Sequence, residues 1–290
     1  MDSTPATHSQ KVGLIAGWGG FPIHVAKALT DQGHQVFCLG VYGHADPVLA
    51  DLCHEFQWTG MAKMGSQARF FRKRGVQVAT LAGKIFKTKI FERFALFRHF
   101  PDFTFWKHFY PVFVTRTKDR ADDTLLLTVT QLFDSYGVKM TPATDFAPEL
   151  LVKTGTLNGR VTDKQSKDIA FGWKIAKQMG GLDVGQSVVV KDCAVLAVEA
   201  IEGTDACIRR AGPLCQSGGF TVVKVAKPNQ DMRFDVPTIG VGTVETIHES
   251  GGKVLAIEAR KTIVLEQEAV QARARELGIT VVAVDETSVV

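Results

Sequence analysis

Hydrophobic and polar positions alternate between short apolar runs and helical spacing along the chain, which marks strands and helices in turn. Lys11–Ala16 follows a polar start and reads as a buried strand. Gly17-Trp18-Gly19-Gly20 is a glycine-rich turn, and Pro22 fits the first turn of a helix reaching about Thr30. Gln35–Val41 is a second strand, Ser66–Arg74 a helix, and Val76–Ala82 a third strand ending in Gly83-Lys84. Asp119–Tyr136 continues as a helix whose first turn carries Asp119, Asp122 and Asp123, where negative charge suits the helix dipole. In the second half, a helix over Ser166–Gln178 stops at Gly180-Gly181, and strands follow near Ser187 and over Ala194–Ala200. Thr204 or Asp205 can cap a helix reaching Arg210. Thr221–Ala226 is a strand and PNQD a turn; then come Phe234–Val244, a strand over Lys253–Glu258, a helix over Leu265–Leu277 and a last strand over Ile279–Val284.

Such alternation predicts an α/β protein. A chain of 290 residues holds one large or two ordinary domains. The pattern turns irregular from Met140 to Lys164, with Pro142, Pro148, Gly155 and Gly159. The expected division is therefore a Rossmann-like N-terminal domain over 1–150, a linker over 151–165 and a mixed-sheet α/β domain over 166–290. The dinucleotide fingerprint is broken, since Pro22 stands where its last glycine belongs. Gly17, Gly19 and Gly20 fit a backbone nest for a phosphate or nucleotide and fit a tight strand-to-helix turn equally well. Lys84 suits a solvated loop better than a phosphate contact.

One stretch breaks the ordinary pattern. Phe86–Phe113 carries eleven aromatic residues: Phe86, Phe91, Phe94, Phe97, Phe100, Phe103, Phe105, Trp106, Phe109, Tyr110 and Phe113. Lys87, Lys89, Arg93, Arg98 and Lys107 are interleaved with them. Core packing explains part of this. So many rings exceed what one helix face needs, and a surface for acyl chains or a bilayer, with basic residues at headgroup level, is the sharper reading. Stacking on nucleic acid would use the same residue types, but no single-strand-binding motif accompanies them.

Composition narrows the picture. Apolar residues make up 45% and charged residues 22%, which fits a globular protein and not a disordered one. A net charge of +4 suits an anionic ligand or membrane surface and is too small to argue for nucleic acid. Cys38, Cys53, Cys193, Cys207 and Cys215 form no CxxC pair and read as reduced thiols of a cytosolic protein. No apolar run is long enough to span a bilayer, and Met1–Gln10 lacks the apolar centre of a signal peptide.

The candidate chemistry is concentrated between Val188 and Gly242. Asp192, Glu199, Glu202, Asp205, Asp231 and Asp235 lie there beside Arg209, Arg210, Lys224, Lys227 and Arg233. The carriers end as strands do, and open α/β sheets place sites at strand ends. Carboxylates can hold Mg²⁺, while lysines, arginines and helix N-termini take phosphate oxygens. Gly203-Thr204 lets backbone amides face an anion, and Asp205 follows in the first helical turn. Taken singly, each acid reads equally well as a cap or a surface charge.

Three blocks, LDVGQSVVV (182–190), VLAVEAIEGTDACIRRAG (195–212) and KPNQDMRFDVPTIG (227–240), carry a resemblance. GLIAGWGGFP (13–22) and DRADDTLL (119–126) add weaker matches. The chain resembles the UDP-2,3-diacylglucosamine pyrophosphatase family of lipid A biosynthesis, in the branch unrelated to calcineurin-like phosphoesterases. The resemblance implies Mg²⁺-dependent hydrolysis (Mn²⁺ is the alternative ion) of a UDP-linked diacylated glucosamine to UMP and 2,3-diacylglucosamine 1-phosphate. It also implies two domains with a lipid-holding interdomain cleft. The family's essential aspartate falls on Asp235, within Arg233-Phe234-Asp235-Val236-Pro237-Thr238-Ile239-Gly240. Glu199, Glu202, Gly203, Thr204 and Asp205 match its E-x-x-E-G-T-D block. On this basis Glu199, Glu202 and Asp205 are the candidate metal ligands. Gly17, Gly19, Gly20, Gly203, Thr204, Lys227, Arg233 and Thr238 are the candidate substrate contacts. Arg120-Ala121-Asp122-Asp123-Thr124 departs from the family's Gly-Asp-Asp-Ala. Peripheral attachment to the cytoplasmic face of the inner membrane is the expected location.

Neither a D-x-H with G-N-H-[DE] metallophosphoesterase set nor a Nudix helix is present in the sequence. Two other classes remain alternatives: a non-catalytic lipid or nucleotide-sugar binder, and a Rossmann-type oxidoreductase.

Overall fold

The computed structural model describes residues 9–85, 99–114, 121–234 and 236–289. The chain divides into two compact units, Met1–Ala147 and Pro148–Val290.

The first unit carries β1 (Lys11–Ala16), α1 (Phe21–Asp31), β2 (Gln35–Val41), α2 (Leu49–Leu52), β3 (Glu55–Thr59), α3 (Met64–Lys73) and β4 (Val78–Ala82). Then come α4 (Phe103–Val114), α5 (Ala121–Ser135) and β5 (Lys139–Met140). Its sheet has the order β3-β2-β1-β4-β5, with every pairing parallel. This is the Rossmann-type strand order without its sixth strand, as the alternating pattern predicts. β1 and β2 are buried beyond their first residues because helices cover both faces of a parallel sheet. On one face Leu14, Cys38, Val25, Leu29 and Leu49 pack together. On another side of the core the rings of Phe71 and Phe133 meet at 6.3 Å.

Chain order reverses between β1 and β4, and there the backbones cross. Gly17 N–H donates to Ala82 O at 2.8 Å, Trp18 N–H to Lys84 O at 2.8 Å, and Lys84 N–H to Trp18 O at 3.0 Å. A Cβ on Gly17 would lie 2.7 Å from Lys84 O, and one on Gly83, at φ +92°, 2.8 Å from Trp18 O. Both glycines are there because two backbones need the space. Gly17 therefore works as a structural turn residue, with its amide already spent. A Cβ on Gly19, at φ +103°, would meet nothing within 4 Å, and one on Gly20 would touch only the His24 ring, at 3.9 Å.

Asp102 fixes the start of the described aromatic helix. Its carboxylate accepts from Phe105 N at 2.9 Å, capping α4, and from Ser66 N at 2.8 Å, capping α3. Phe100, Phe103 and Trp106 are 62%, 84% and 47% exposed, too open for core packing. Phe86, Phe91, Phe94 and Phe97, the interleaved Lys87, Lys89, Arg93 and Arg98, and Asp119 lie outside the described residues.

The second unit carries β6 (Gly155–Asn158), α6 (Asp163–Gly181), β7 (Ser187–Lys191), β8 (Ala194–Val198), α7 (Thr204–Ala211) and β9 (Thr221–Lys224). It continues with β10 (Thr238–Ile239), α8 (Val241–Glu249), β11 (Val254–Glu258), β12 (Ile263–Val264), α9 (Gln267–Leu277) and β13 (Thr280–Val284). Six strands form a mixed sheet, β6-β13-β11-β9-β7-β8, and β10 pairs with β12 beside it. Alternation along the strands sorts two cores. Val188, Val190, Val223 and Val254 meet Ile169, Trp173 and Ala176 of α6. Val189, Val222, Leu255 and Ile257 meet Ile208 of α7, Val244 and Ile247 of α8, and Val270 and Ala274 of α9.

The expected linker over 151–165 is not a linker. Gly155–Asn158 pairs antiparallel with β13 as an edge strand. The following helix starts at Asp163, where Thr162 and Gln165 form a capping box. The glycines at 155 and 159 bound a short strand instead of breaking the fold.

Gly83→Ala should destabilise the protein by about 2–4 kcal/mol, because the new methyl meets backbone and the residue is held at positive φ. Urea unfolding measures this, and an unchanged midpoint would contradict the crossing described here.

Candidate active site at the carboxyl edge of the second sheet

β8 and β9 both run antiparallel to β7, and β9 runs parallel to β11. Their carboxyl ends therefore share one edge of the sheet, with Ser187 opposite Lys224 and Val188 opposite Val198. Glu199, Lys224 and Glu258 are delivered there by the register.

Glu199 follows β8 and its amide donates to Ser187 O at 2.9 Å, which continues the ladder. Gly203, at φ +83°, then turns the chain so that Thr204 opens α7. The Thr204 hydroxyl donates to Glu199 Oε1 at 3.0 Å. Lys224 Nζ donates to Thr204 Oγ1 at 3.0 Å and to the Thr238 carbonyl at 3.3 Å. Ser187 Oγ lies 3.3 Å from Thr204 Oγ1. With the Thr204 proton on Glu199, Ser187 is the donor of that bond. A hydroxyl has one proton and two lone pairs, so Thr204 Oγ1 is saturated. Glu199 and Lys224 are each only 7% exposed, and the lysine charge offsets part of the cost of burying the carboxylate. Among the described residues, Glu199 Oε2 is buried without a hydrogen-bond partner. An acceptor of this kind is costly unless a ligand, proton or cation meets it.

A second buried acid supports the loop after β9. Glu258 Oε2 accepts from Lys177 Nζ at 2.6 Å and from Ala226 N at 2.7 Å, while Lys261 lies 3.1 Å from Oε1. Lys177 Nζ also donates to Ala226 O at 3.0 Å. Both peptide groups of Ala226 are held, so the loop leaves the sheet in a fixed direction.

The expected site residues separate into two sets. Glu199, Thr204 and Thr238 come together, joined by Lys224. Gly203 lies within this set as the turn before α7. The other residues have their own partners. Glu202 accepts from Arg210 at 2.7 Å and from Ala200 N at 3.1 Å. Its own backbone amide first and Arg210 second hold its carboxyl below the usual range. Arg233 forms a two-pronged ion pair with Asp231, whose carboxyl it holds below the usual range. Lys227 bonds Asp183 Oδ1 at 2.6 Å. Asp205 is exposed in the first turn of α7. Asp235 lies outside the described residues.

Glu199 and Glu202 have different partners in this structure. Among the described residues no three His, Cys, Asp or Glu side chains stand together as a metal cluster. Glu202 is turned onto Arg210 at the far side of its turn. Of Glu199, Glu202 and Asp205, Glu199 has a buried oxygen with no hydrogen-bond partner among the described residues, which fits a cation.

The model of the LpxI N-terminal domain matches residues 11–150, and that of the LpxI C-terminal domain matches residues 153–282. The chain belongs to the LpxI family. It is 32% identical over 290 residues to the UDP-2,3-diacylglucosamine pyrophosphatase LpxI of Caulobacter vibrioides, covering 95% of this chain and 98% of the relative. The LpxI C-terminal match includes every member of the Glu199–Thr204–Lys224–Thr238 network. The resemblance drawn from the three sequence blocks is thus a family membership.

Ser187, Lys224, Lys177 and Glu258 carry the edge, yet none belongs to the candidate site set read from the sequence. For Lys224 a signal exists: a charge closing the otherwise apolar TVVK strand sits at a strand end, where sheet sites collect. Lys177 and Glu258 lie far apart in the chain and carry no local signal.

Proposed function

We propose that this LpxI-family protein hydrolyses the pyrophosphate bond of UDP-2,3-diacylglucosamine, releasing UMP and 2,3-diacylglucosamine 1-phosphate. The observation that carries the reading is the 32% identity across nearly the whole length of the Caulobacter vibrioides LpxI. The carboxyl edge of the second sheet is chemically suited to the reaction. The reaction needs an anionic oxygen for the ion that carries the attacking water, and Glu199 Oε2 suits that place, with its partner oxygen held by Thr204. The Lys224 ammonium adds positive charge beside the position a diphosphate would take. The Gly203 amide donates to Ala200 O at 3.3 Å, so the phosphate contact in this reading falls to the N-terminus of α7, where Thr204 would act through its backbone and not through its bonded hydroxyl. The oxidoreductase reading loses its motif, with Pro22 at the fingerprint position and the Gly17 amide spent on Ala82.

Mg²⁺, with Mn²⁺ as substitute, is part of the proposal. Glu199 is the described residue that would hold it, and such ions keep several waters and bind through substrate phosphates with few protein ligands. When bound, the ion would neutralise the phosphate oxygens and acidify a water. Incubation with UDP-2,3-diacylglucosamine and Mg²⁺ should release UMP, and EDTA should stop it. No UMP overturns the reaction, and full activity after chelation and dialysis overturns the metal.

Asp235, matched to the family's essential aspartate, is proposed as the second carboxylate of the site. Asp235→Ala should lower kcat roughly 10²- to 10⁴-fold while substrate still binds. Normal kcat in a folded variant would remove it from the mechanism.

We further propose that the exposed Phe100, Phe103 and Trp106 contact lipid, as acyl chain or as the surface of the inner membrane. Among the described residues no helix is long and apolar enough to cross a membrane, so the contact would be peripheral. The combined variant Phe103→Ser with Trp106→Ser should reduce sedimentation with anionic phospholipid vesicles by at least about fivefold without loss of fold, given what burying such rings is worth. Unchanged sedimentation would refute the contact.

A further inference from the structure

We infer that Lys224 is a positioning residue of the hydrolase, acting through Thr204 on Glu199 and through the Thr238 carbonyl on the start of β10. The inference rests on the hydrolase reading above and adds a residue whose role no motif assigns. Lys224 closes β9 at the carboxyl edge and is almost fully buried, so its ammonium has little bulk water to bind. A buried lysine is retained at a cost unless its protons are well placed. Its described bonds join two separate parts of the chain. One goes to Thr204 Oγ1, in the E-x-x-E-G-T-D block, at 3.0 Å. Another goes to Thr238 O, in the R-x-D-x-P-T-I-G block, at 3.3 Å.

The consequence for Glu199 follows from counting protons. Lys224 donates into the Thr204 hydroxyl, which leaves its proton for the nearer and charged acceptor, Glu199 Oε1 at 3.0 Å, against Ser187 Oγ at 3.3 Å. Donation into the hydroxyl oxygen also strengthens its own donation onward. Glu199 Oε1 is thereby held, and Oε2 is the oxygen left for substrate, water or ion. Without Lys224 the hydroxyl can turn, the carboxylate loses its fixed orientation, and the Thr238 segment is no longer tied to α7. The bonds to Thr204 and Thr238 are internal, so the chief loss falls on turnover and not on binding.

The test uses the full-length protein and measures kcat and KM for UMP release from UDP-2,3-diacylglucosamine in wild type, Lys224→Met, Thr204→Val, Thr204→Ser and the Lys224→Met/Thr204→Val pair. Lys224→Met should fold and lose roughly 30- to 100-fold in kcat, the scale of a misaligned reacting group, with KM changed less than about threefold. Thr204→Val should lose kcat in the same way, and Thr204→Ser, which keeps the hydroxyl, should restore it. Because both act on Glu199 through one hydroxyl, the pair should be far less impaired than the product of the single losses. A folded Lys224→Met with wild-type kcat overturns the inference, and so do fully multiplicative losses in the pair. If Lys224→Met does not fold, Thr204→Val decides, and full kcat there overturns the inference. A wild-type protein that releases no UMP overturns the hydrolase reading and this inference with it. Wild-type turnover alongside an unaffected Lys224→Met overturns the inference alone.

Discussion

A buried ammonium shared between the start of a helix and the start of a strand is the interaction on which the candidate site depends. Lys224 joins the start of α7 to the start of β10, and the Thr204 hydroxyl between it and Glu199 turns a lysine at one strand end into the orientation of a carboxylate at another. Neither charge is tolerable alone at this depth, and each makes the other cheaper to bury. The strand register makes the arrangement available: β8, β9 and β11 end together because β7 runs against its neighbours. Glu258 and Lys177 repeat the device one strand further on and fix the exit of the following loop at Ala226.

The first unit solves a different problem. Its sheet reverses order between β1 and β4, and the turn after β1 is locked to the end of β4 by backbone bonds that leave no room for side chains at Gly17 and Gly83. What the sequence offers as a nest is partly a steric requirement of the fold. The remaining character of this unit is its exposed aromatic surface on α4, held in place by Asp102, which caps α3 and α4 with a single carboxylate.

Much of the fold was legible before the structure. Apolar runs such as Lys11–Ala16, Gln35–Val41 and Thr221–Lys224 are strands, because buried parallel strands leave a continuous apolar signal. Gly155–Asn158 was hidden because an edge strand with exposed ends has no such run. The Thr162–Gln165 capping box was present in the sequence and marks the true start of α6. α8 was obscured by its Val, Thr and Ile content, which favours strands locally and is overridden by burial of Val244 and Ile247 against the sheet. For the site, Glu199 and Thr204 could be read from one block, since they lie five residues apart. The binding of Thr238 to them could not, because it passes through Lys224, and register alone brings that residue to the edge. Glu202 shares the block but is paired with Arg210, and spacing does not report direction in a turn.

The proposed site requires Glu199 Oε2 to face the reacting phosphate at the carboxyl edge of the second sheet. A crystal structure with UMP and Mn²⁺ tests it most directly. The account predicts an anomalous manganese peak in contact with the Glu199 carboxylate, the UMP phosphate beside it, and Thr204 still bonded to both Glu199 and Lys224. Manganese and phosphate bound elsewhere, with Glu199 Oε2 untouched, would contradict it.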